Sequence, residues 1–344
     1  MTTPMDVPIP LPFQLSRMAT SYWVPQAIHA AAELGVADAL AGGAKTSAEL
    51  ARAIEADPPS LHRLLRALVT LELCTIDERD RFALTPLGEC LRADVPNSIR
   101  AWVLVVGGPR CWPAWGRLGE CVRTGRSVAA LDGRNPWDHA GEETDESAVF
   151  NQSMVQLTRH LAGAIAVAYD FSELRTIVDV GGGYGALLPP ILKANPELRG
   201  AVFDLPRCRD GFRAIAEKTR LADRYEFVPG DFFADPLPAA DAYLIKSVIH
   251  DWDDERSVAI LRAIGAAMRP HSRLLVVEPI LSERPGTSPF DAMMAHTDLN
   301  MLVVVGGRER TEADFRSLVE RAGLVVSRVL PTPAAFSIIE GRKP

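Results

Sequence analysis

The sequence predicts an α/β protein: an open, Rossmann-like parallel sheet preceded by a smaller helical domain with a two-stranded wing. Three observations carry this. Thr176 to Pro206 reads strand, glycine turn, helix, strand. Further apolar runs at Tyr225 to Val228, Asp241 to Ile249 and Arg273 to Val277 alternate with helical segments, and an acid or a histidine follows each. That is the pattern of a sheet that binds ligands along one edge. Residues 46 to 91 run helix, helix, hairpin, which is the order of a winged helix.

Composition narrows the class. The chain has 344 residues, 47% hydrophobic and 24% charged, with a net charge of −7. This suits a two-domain globular protein and argues against a dedicated nucleic-acid binder, which usually carries a basic face. No apolar run approaches the ~20 residues of a membrane span. The N-terminus lacks the basic and apolar regions of a signal peptide, so a cytoplasmic protein is expected. Cys74, Cys90, Cys111, Cys121 and Cys208 form no C-x-x-C pair and are expected to be reduced thiols, with no metal site.

Taken in order, residues 1 to 12 contain four prolines and read as an extended arm. Phe13 to Leu40 has helical apolar spacing, with a kink or restart at Pro25. Thr46-Ser47 caps a helix from Ala48 to Ile54, and Pro58-Pro59 precedes a second from Ser60 to Leu71. Cys74 to Ile76 and Phe82 to Leu84 form the wing. DNA reading by the second helix would use His62, Arg63 and Arg66; on an acidic chain, packing against a second subunit explains the module better. Residues 100 to 165 are mostly helical and rich in aromatics: Trp102, Trp112, Trp115, Trp137 and Phe150. Phe150 and Met154 are four residues apart and share a helix face, either as core or as the wall of a pocket for a flat ring.

The glycine turn holds Gly181, Gly182, Gly183 and Gly185, behind an acid, Asp179, inside the first strand. Glycines let backbone approach a ligand and turn sharply into a helix. The helix from Ala186 to Ala194 fits only if Pro189 and Pro190 lie in its first turn. Asp204, at the second strand's tip, can accept both hydroxyls of a ribose. Gly181, Gly183 and Ala186 also satisfy a relaxed nicotinamide-binding pattern, and a merely structural turn is a further alternative. Asp231 and Phe232 follow the third strand and suit an adenine. The fourth strand is read as Asp241 to Ile249, with His250 at its tip and Asp251 as a helix cap. Glu278 ends the fifth strand. A long excursion, Pro279 to Gly307, holds Asp298, Asn300 and Met301. Thr311 caps a helix to Ala322, and strands at Leu324 to Leu330 and Ala335 to Glu340 close the fold.

The acid-x-Gly-x-Gly-x-Gly turn resembles the first motif of class I S-adenosylmethionine methyltransferases. The whole chain is similar to the small-molecule O-methyltransferases of the caffeic-acid and hydroxyindole type, in the branch found in bacterial natural-product pathways. VDVGGGYG, FDLP, GDFF, DAYLIKSVIHDWDDE, VVEPIL and GGRERT carry the likeness. It implies a class I methyltransferase sheet with an N-terminal winged-helix dimerisation domain (1–105), linking helices that contribute to the substrate pocket (106–165) and a catalytic domain (166–344). It implies a homodimer that binds S-adenosylmethionine and an aromatic small molecule, and neither nucleic acid nor membrane. Asp179, Gly181, Gly183, Asp204, Leu205, Asp231, Phe232 and Lys246 fall on the cofactor site. His250 falls on the general base, flanked by Glu278 and Glu309. Trp115, Phe150, Met154, Asp298 and Met301 are the expected substrate contacts. A histidine near its ordinary pKa of ~6.5 suits this work. Tyr184 stands where many members have Thr or Ser, and Val303 to Val305 replace an asparagine of some plant members. A non-methylating cofactor-dependent reaction, such as hydroxylation or cyclisation, and a winged-helix regulator are the alternatives.

Overall fold

A computed structural model describes residues 9–135 and 145–344. The first part of the proline-rich arm and Trp137 lie outside the described residues. The chain divides into two compact units, Met1–Trp112 and Pro113–Pro344. This places the division between Trp112 and Pro113, so residues 106–112 go with the first unit and 113–165 with the second.

In the first unit, the segment read as helical with a kink or restart at Pro25 forms three helices: Leu11–Thr20, Trp23–Glu33 and Val36–Leu40. Of the two alternatives the restart holds: Pro25 lies in the first turn of the second helix, where no backbone hydrogen bond is lost. A short strand β1 (Lys45–Thr46) precedes the helices Ser47–Ala53 and Pro58–Thr70, and β2 (Cys74–Ile76) and β3 (Arg81–Leu84) follow. β3 pairs antiparallel with both β1 and β2, giving the strand and helix order of a winged helix. β1, too short for a periodic signal, is absent from the sequence reading. Thr46 and Glu49 form a capping box, and Asp57 caps the next helix ahead of its prolines. Leu50, Leu61, Leu65, Leu68 and Phe82 make the small core. The ring of His62 packs edge-on to Phe82, 5.6 Å between centroids, so one of the three residues offered for DNA reading is occupied in packing.

The second unit is built on β4 (Thr176–Val180), β5 (Arg199–Asp204), β6 (Tyr225–Pro229), β7 (Ala242–Lys246), β8 (Arg273–Glu278), β9 (Ile280–Leu281), β10 (Arg310–Thr311), β11 (Val325–Pro331) and β12 (Ser337–Arg342). The main sheet runs β6-β5-β4-β7-β8-β12-β11. β4 to β8 are mutually parallel, while β12 is antiparallel to both its neighbours. The short return from β11 to β12 allows only an antiparallel pair. Strand order reverses between β4 and β7, the point where such sheets bind ligands. Side chains alternate between the two faces. Val178, Phe203, Tyr243 and Val276 pack on one side, and Ile177, Val202, Leu244 and Leu275 on the other.

Two expectations need correction. The fourth strand stops at Lys246 instead of Ile249, because Ser247 takes a left-handed conformation (φ 51°) and turns the chain into a single 3-10 turn, Ile249–Asp251. The excursion after Glu278 is largely a helix, Pro289–Val304, capped by Ser288 with Pro289 in its first turn. Its apolar residues occupy all sides, so no helical stripe marked it in the sequence.

Candidate active site

The glycine turn leaves β4 with Gly181, Gly183 and Gly185 all at positive φ (70°, 58° and 76°), where a side chain would be strained. Asp204 braces this turn: its Oδ2 accepts from the Gly183 amide at 2.7 Å and its Oδ1 from the Leu205 amide at 2.6 Å. Beneath the turn Asp179 is buried, and its Oδ2 has no hydrogen-bond partner. Burial, opposed by Lys246 and helped by the Asp204 charge, pushes the Asp179 carboxyl up to about 7. Tyr184 finds its place against Gly211, and its hydroxyl accepts from Asn151 at 3.0 Å. Asp231 accepts from the Phe233 amide at 2.8 Å, which fixes the loop that sets Phe232 beside the turn at Gly181. Phe232 also meets Trp252 edge-on. Lys246 ends β7, donates to Ser247 Oγ at 3.0 Å, and is held below its usual pKa by burial, against the pull of Glu278, Asp179 and Asp251.

His250 sits on the 3-10 turn, with its side chain 15% exposed. Nδ1 lies 3.0 Å from Glu309 Oε1 and 3.7 Å from Glu278 Oε2, and Nε2 lies 3.6 Å from Asp251 Oδ1. Glu278 does a second job: its Oε1 accepts from the Val248 and Ile249 amides, each at 3.0 Å, so it also anchors the turn. A parallel pairing of β9 with β10 draws the segments after Glu278 and Glu309 together. Asp298 accepts from the Glu309 amide at 2.8 Å. Burial works against charge on the imidazole, but Glu278, Asp251 and Glu309 outweigh it and hold His250 at about 10. The expectation of a ring near its ordinary pKa is therefore wrong, and the cause is this carboxylate surround. Burial, opposed by His250, raises Asp251 to about 7.

Asp251 is not the helix cap. That work falls to Asp253, which accepts from the Arg256 amide at 2.8 Å at the head of the helix Asp254–Ala267. Asp251 instead joins the histidine, which its place next to His250 did not reveal. Of the expected substrate contacts, Trp115 reaches the helix Pro289–Val304 by donating to Asn300 Oδ1 at 3.0 Å. Met301 lies half-buried on that helix, and Asp298 is committed to the Glu309 backbone. Phe150 and Met154 lie half-buried on the helix Asp145–Ala168, which reaches the glycine turn through Asn151 and Tyr184. Sequence reasoning missed Ser247, Gly307 and Arg310, and named Asn300 without giving it a contact. Arg310 lies within GGRERT, whose glutamate drew all the attention.

A cationic ligand suits this site. Asp179 Oδ2, Glu278 Oε2 and Glu309 Oε2 are buried carboxylate oxygens without a hydrogen-bond partner. A parallel sheet with a glycine turn at its switch point, braced by an acid at the next strand's tip, defines a class I methyltransferase-type α/β enzyme.

Comparison with known proteins places it more closely. The O-methyltransferase domain model matches residues 115–325, and the O-methyltransferase dimerisation domain model matches residues 16–94. The chain belongs to the S-adenosylmethionine-dependent O-methyltransferase family, and its dimerisation domain marks it as a homodimer. It is 37% identical to phenazine O-methyltransferase PhzM of Lysobacter antibioticus, over 97% of each chain. It is 40% identical to the mitomycin biosynthesis 6-O-methyltransferase of Streptomyces lavendulae, over 93% of this chain and 91% of that one. An O-methyltransferase from neocarzinostatin biosynthesis, solved with S-adenosylmethionine and 2-hydroxy-5-methyl naphthoic acid, matches with a TM-score of 0.77 at 36% identity, covering 93% of this chain and 96% of that one. Among the described residues no helix is long and apolar enough to cross a membrane.

Proposed function

We propose that this enzyme methylates a phenolic or enolic hydroxyl on an aromatic small molecule of natural-product type, with His250 as the proton acceptor. The observation that carries the reading is the engagement of His250 Nδ1 by Glu309, with Glu278 and Asp251 close by. S-adenosylmethionine, when bound, supplies an activated methyl group on a sulfonium. Asp204 and Leu205 would hold its ribose end, Asp231 and Phe232 its adenine, and Asp179, Gly181, Gly183 and Lys246 its amino-acid end. The protein's remaining work is alignment and proton transfer. A phenol has a pKa near ~10. A ring held at about 10 accepts that proton at little net cost once it is itself neutral. Glu309 and Glu278 fix the ring and favour the imidazolium that forms.

The relatives named above are a phenazine O-methyltransferase, a mitomycin biosynthesis 6-O-methyltransferase and an enzyme solved with a naphthoic acid, which supports a flat, substituted ring system as substrate. Transfer of label from S-adenosylmethionine to a panel of hydroxylated phenazines, naphthoates and quinones tests this. Methylation of none of them, beside turnover of a non-aromatic alcohol, would overturn it. Trp115→Ala and Phe150→Ala are expected to raise KM for such a ring about ten-fold each, or about 1.4 kcal/mol. A product complex with the ring remote from both residues would return them to the core. The odd count of five cysteines, none in a C-x-x-C pair, supports action in the reducing cytoplasm.

Dimer formation is proposed to run through the first helix. Leu11, Leu15 and Met18 share one face of Leu11–Thr20 and are 67–77% exposed, and the helix has no buried residue. Covering three such side chains is worth about 1.5–3 kcal/mol each. Serine at all three positions is expected to turn the dimer into monomer at micromolar concentration. An unchanged mass by light scattering would place the interface elsewhere.

A further inference from the structure

The turn that carries His250 has no regular ladder of its own, yet three of its main-chain carbonyls are held by one short segment, residues 307–310. Arg310 is fully buried. Its Nη1 donates to the Ile249 carbonyl at 2.8 Å and its Nη2 to the Trp252 carbonyl at 2.7 Å. The two oxygens flanking His250 and Asp251 are thus taken by the two arms of one guanidinium. The carbonyl of His250 itself accepts from the Arg308 amide at 2.9 Å. Gly307 allows this approach, since a Cβ there would collide with that same carbonyl oxygen. The guanidinium's charge is met by Asp254 at 2.9 Å, and Ser257 Oγ stands 3.3 Å from Nη2.

Successive side chains of an extended segment point to opposite sides. Glu309 therefore faces the imidazole while Arg310 faces the carbonyls behind it, so the segment grips the turn from both sides. We propose that Arg310 is a positioning residue for methyl transfer: it sets the main-chain path of the His250 turn, and through it the aim of the proton-accepting ring. Neither its position in GGRERT nor its charge requires this role; the contacts do. A planar fork reaches two diverging carbonyls and a carboxylate together, which a lysine ammonium on a flexible stem does not. The inference rests on His250 as the proton acceptor.

The test uses the purified homodimer with Arg310→Met, Arg310→Lys, Gly307→Ala and His250→Ala. Thermal unfolding, S-adenosylmethionine affinity by calorimetry, kcat, KM and the pH dependence of kcat are measured on each. Arg310→Met is expected to lose about 10²-fold in kcat, as sub-ångström to 1 Å misplacement of a reacting group does. Cofactor affinity and KM should change less than three-fold, and the pH dependence of kcat should shift because the ring moves against its carboxylates. Arg310→Lys should fall between Met and the parent. Gly307→Ala, which pushes on the His250 carbonyl with Arg310 intact, should show the same split between kcat and affinity. It also decides the matter if Arg310→Met does not fold. Folded Arg310 variants with kcat within two-fold of the parent overturn the proposal, and so does a cofactor affinity that falls as far as kcat. An active His250→Ala enzyme would remove the base itself. An inactive one beside fully active Arg310 variants removes only the clamp.

Discussion

Replacing His250 with alanine is expected to lower turnover by about 10²–10⁴, the usual cost of removing a general base, while cofactor affinity stays within a few-fold. The two effects separate because His250 is proposed to take a proton rather than to hold the cofactor. In the parent enzyme the ring is charged below its pKa and acts as acceptor only when neutral. The carboxylates hold that pKa at about 10. Acidification therefore fills the ring with its proton and slows the reaction, and kcat should climb with pH from neutral into the alkaline range. In His250→Ala this rise should persist for a different reason, ionisation of the phenol itself, so high pH partly rescues the variant. Substrates with more acidic hydroxyls should suffer less. Glu278→Gln and Glu309→Gln should fall between the parent and His250→Ala, with Glu278→Gln also loosening the turn through its contacts to Val248 and Ile249. Full rate in His250→Ala on a weakly acidic phenol would sink the base assignment.

Replacing Asp204 with alanine is expected to cost about 2–4 kcal/mol of S-adenosylmethionine affinity, from lost charge-assisted bonds to two hydroxyls. The structure adds a second source of loss, since the same carboxylate braces the Gly183 and Leu205 amides. Asp204→Asn keeps an acceptor for one amide but no charge, and should lie between alanine and the parent. Burial raises the Asp204 carboxyl above the usual carboxylate range. Cofactor binding should therefore weaken on acidification earlier than an exposed aspartate would allow. Calorimetry over a pH series reads both effects, and an unchanged affinity in Asp204→Ala would take Asp204 out of the site.

The sequence by itself determined the parts that are local. β4, β5, β6 and β8 read out as short apolar runs because their pattern lies within a few consecutive residues. The glycine turn and Asp204 were legible for the same reason, and so was Thr311 as a cap, since the box closes three residues on with Asp314. Glu278 was placed on the same sheet edge as His250 by the strand tips, whereas Glu309 was placed with them only through likeness to a family. Tertiary structure decided what depends on distant neighbours. The return of β12 between β8 and β11 follows from a short connection and the free edge of β8, not from the composition of either strand. The end of β7 is set by Ser247, whose left-handed conformation no residue type announced. The proton affinity of His250 is fixed by carboxylates, one of them 59 residues away in sequence. The path of its turn is held by a guanidinium whose partners on the turn and on the helix after it lie 53 to 61 positions before it. Periodicity records how a segment meets water, whereas charge and aim at a reacting atom are set by whatever the fold brings within a few ångströms.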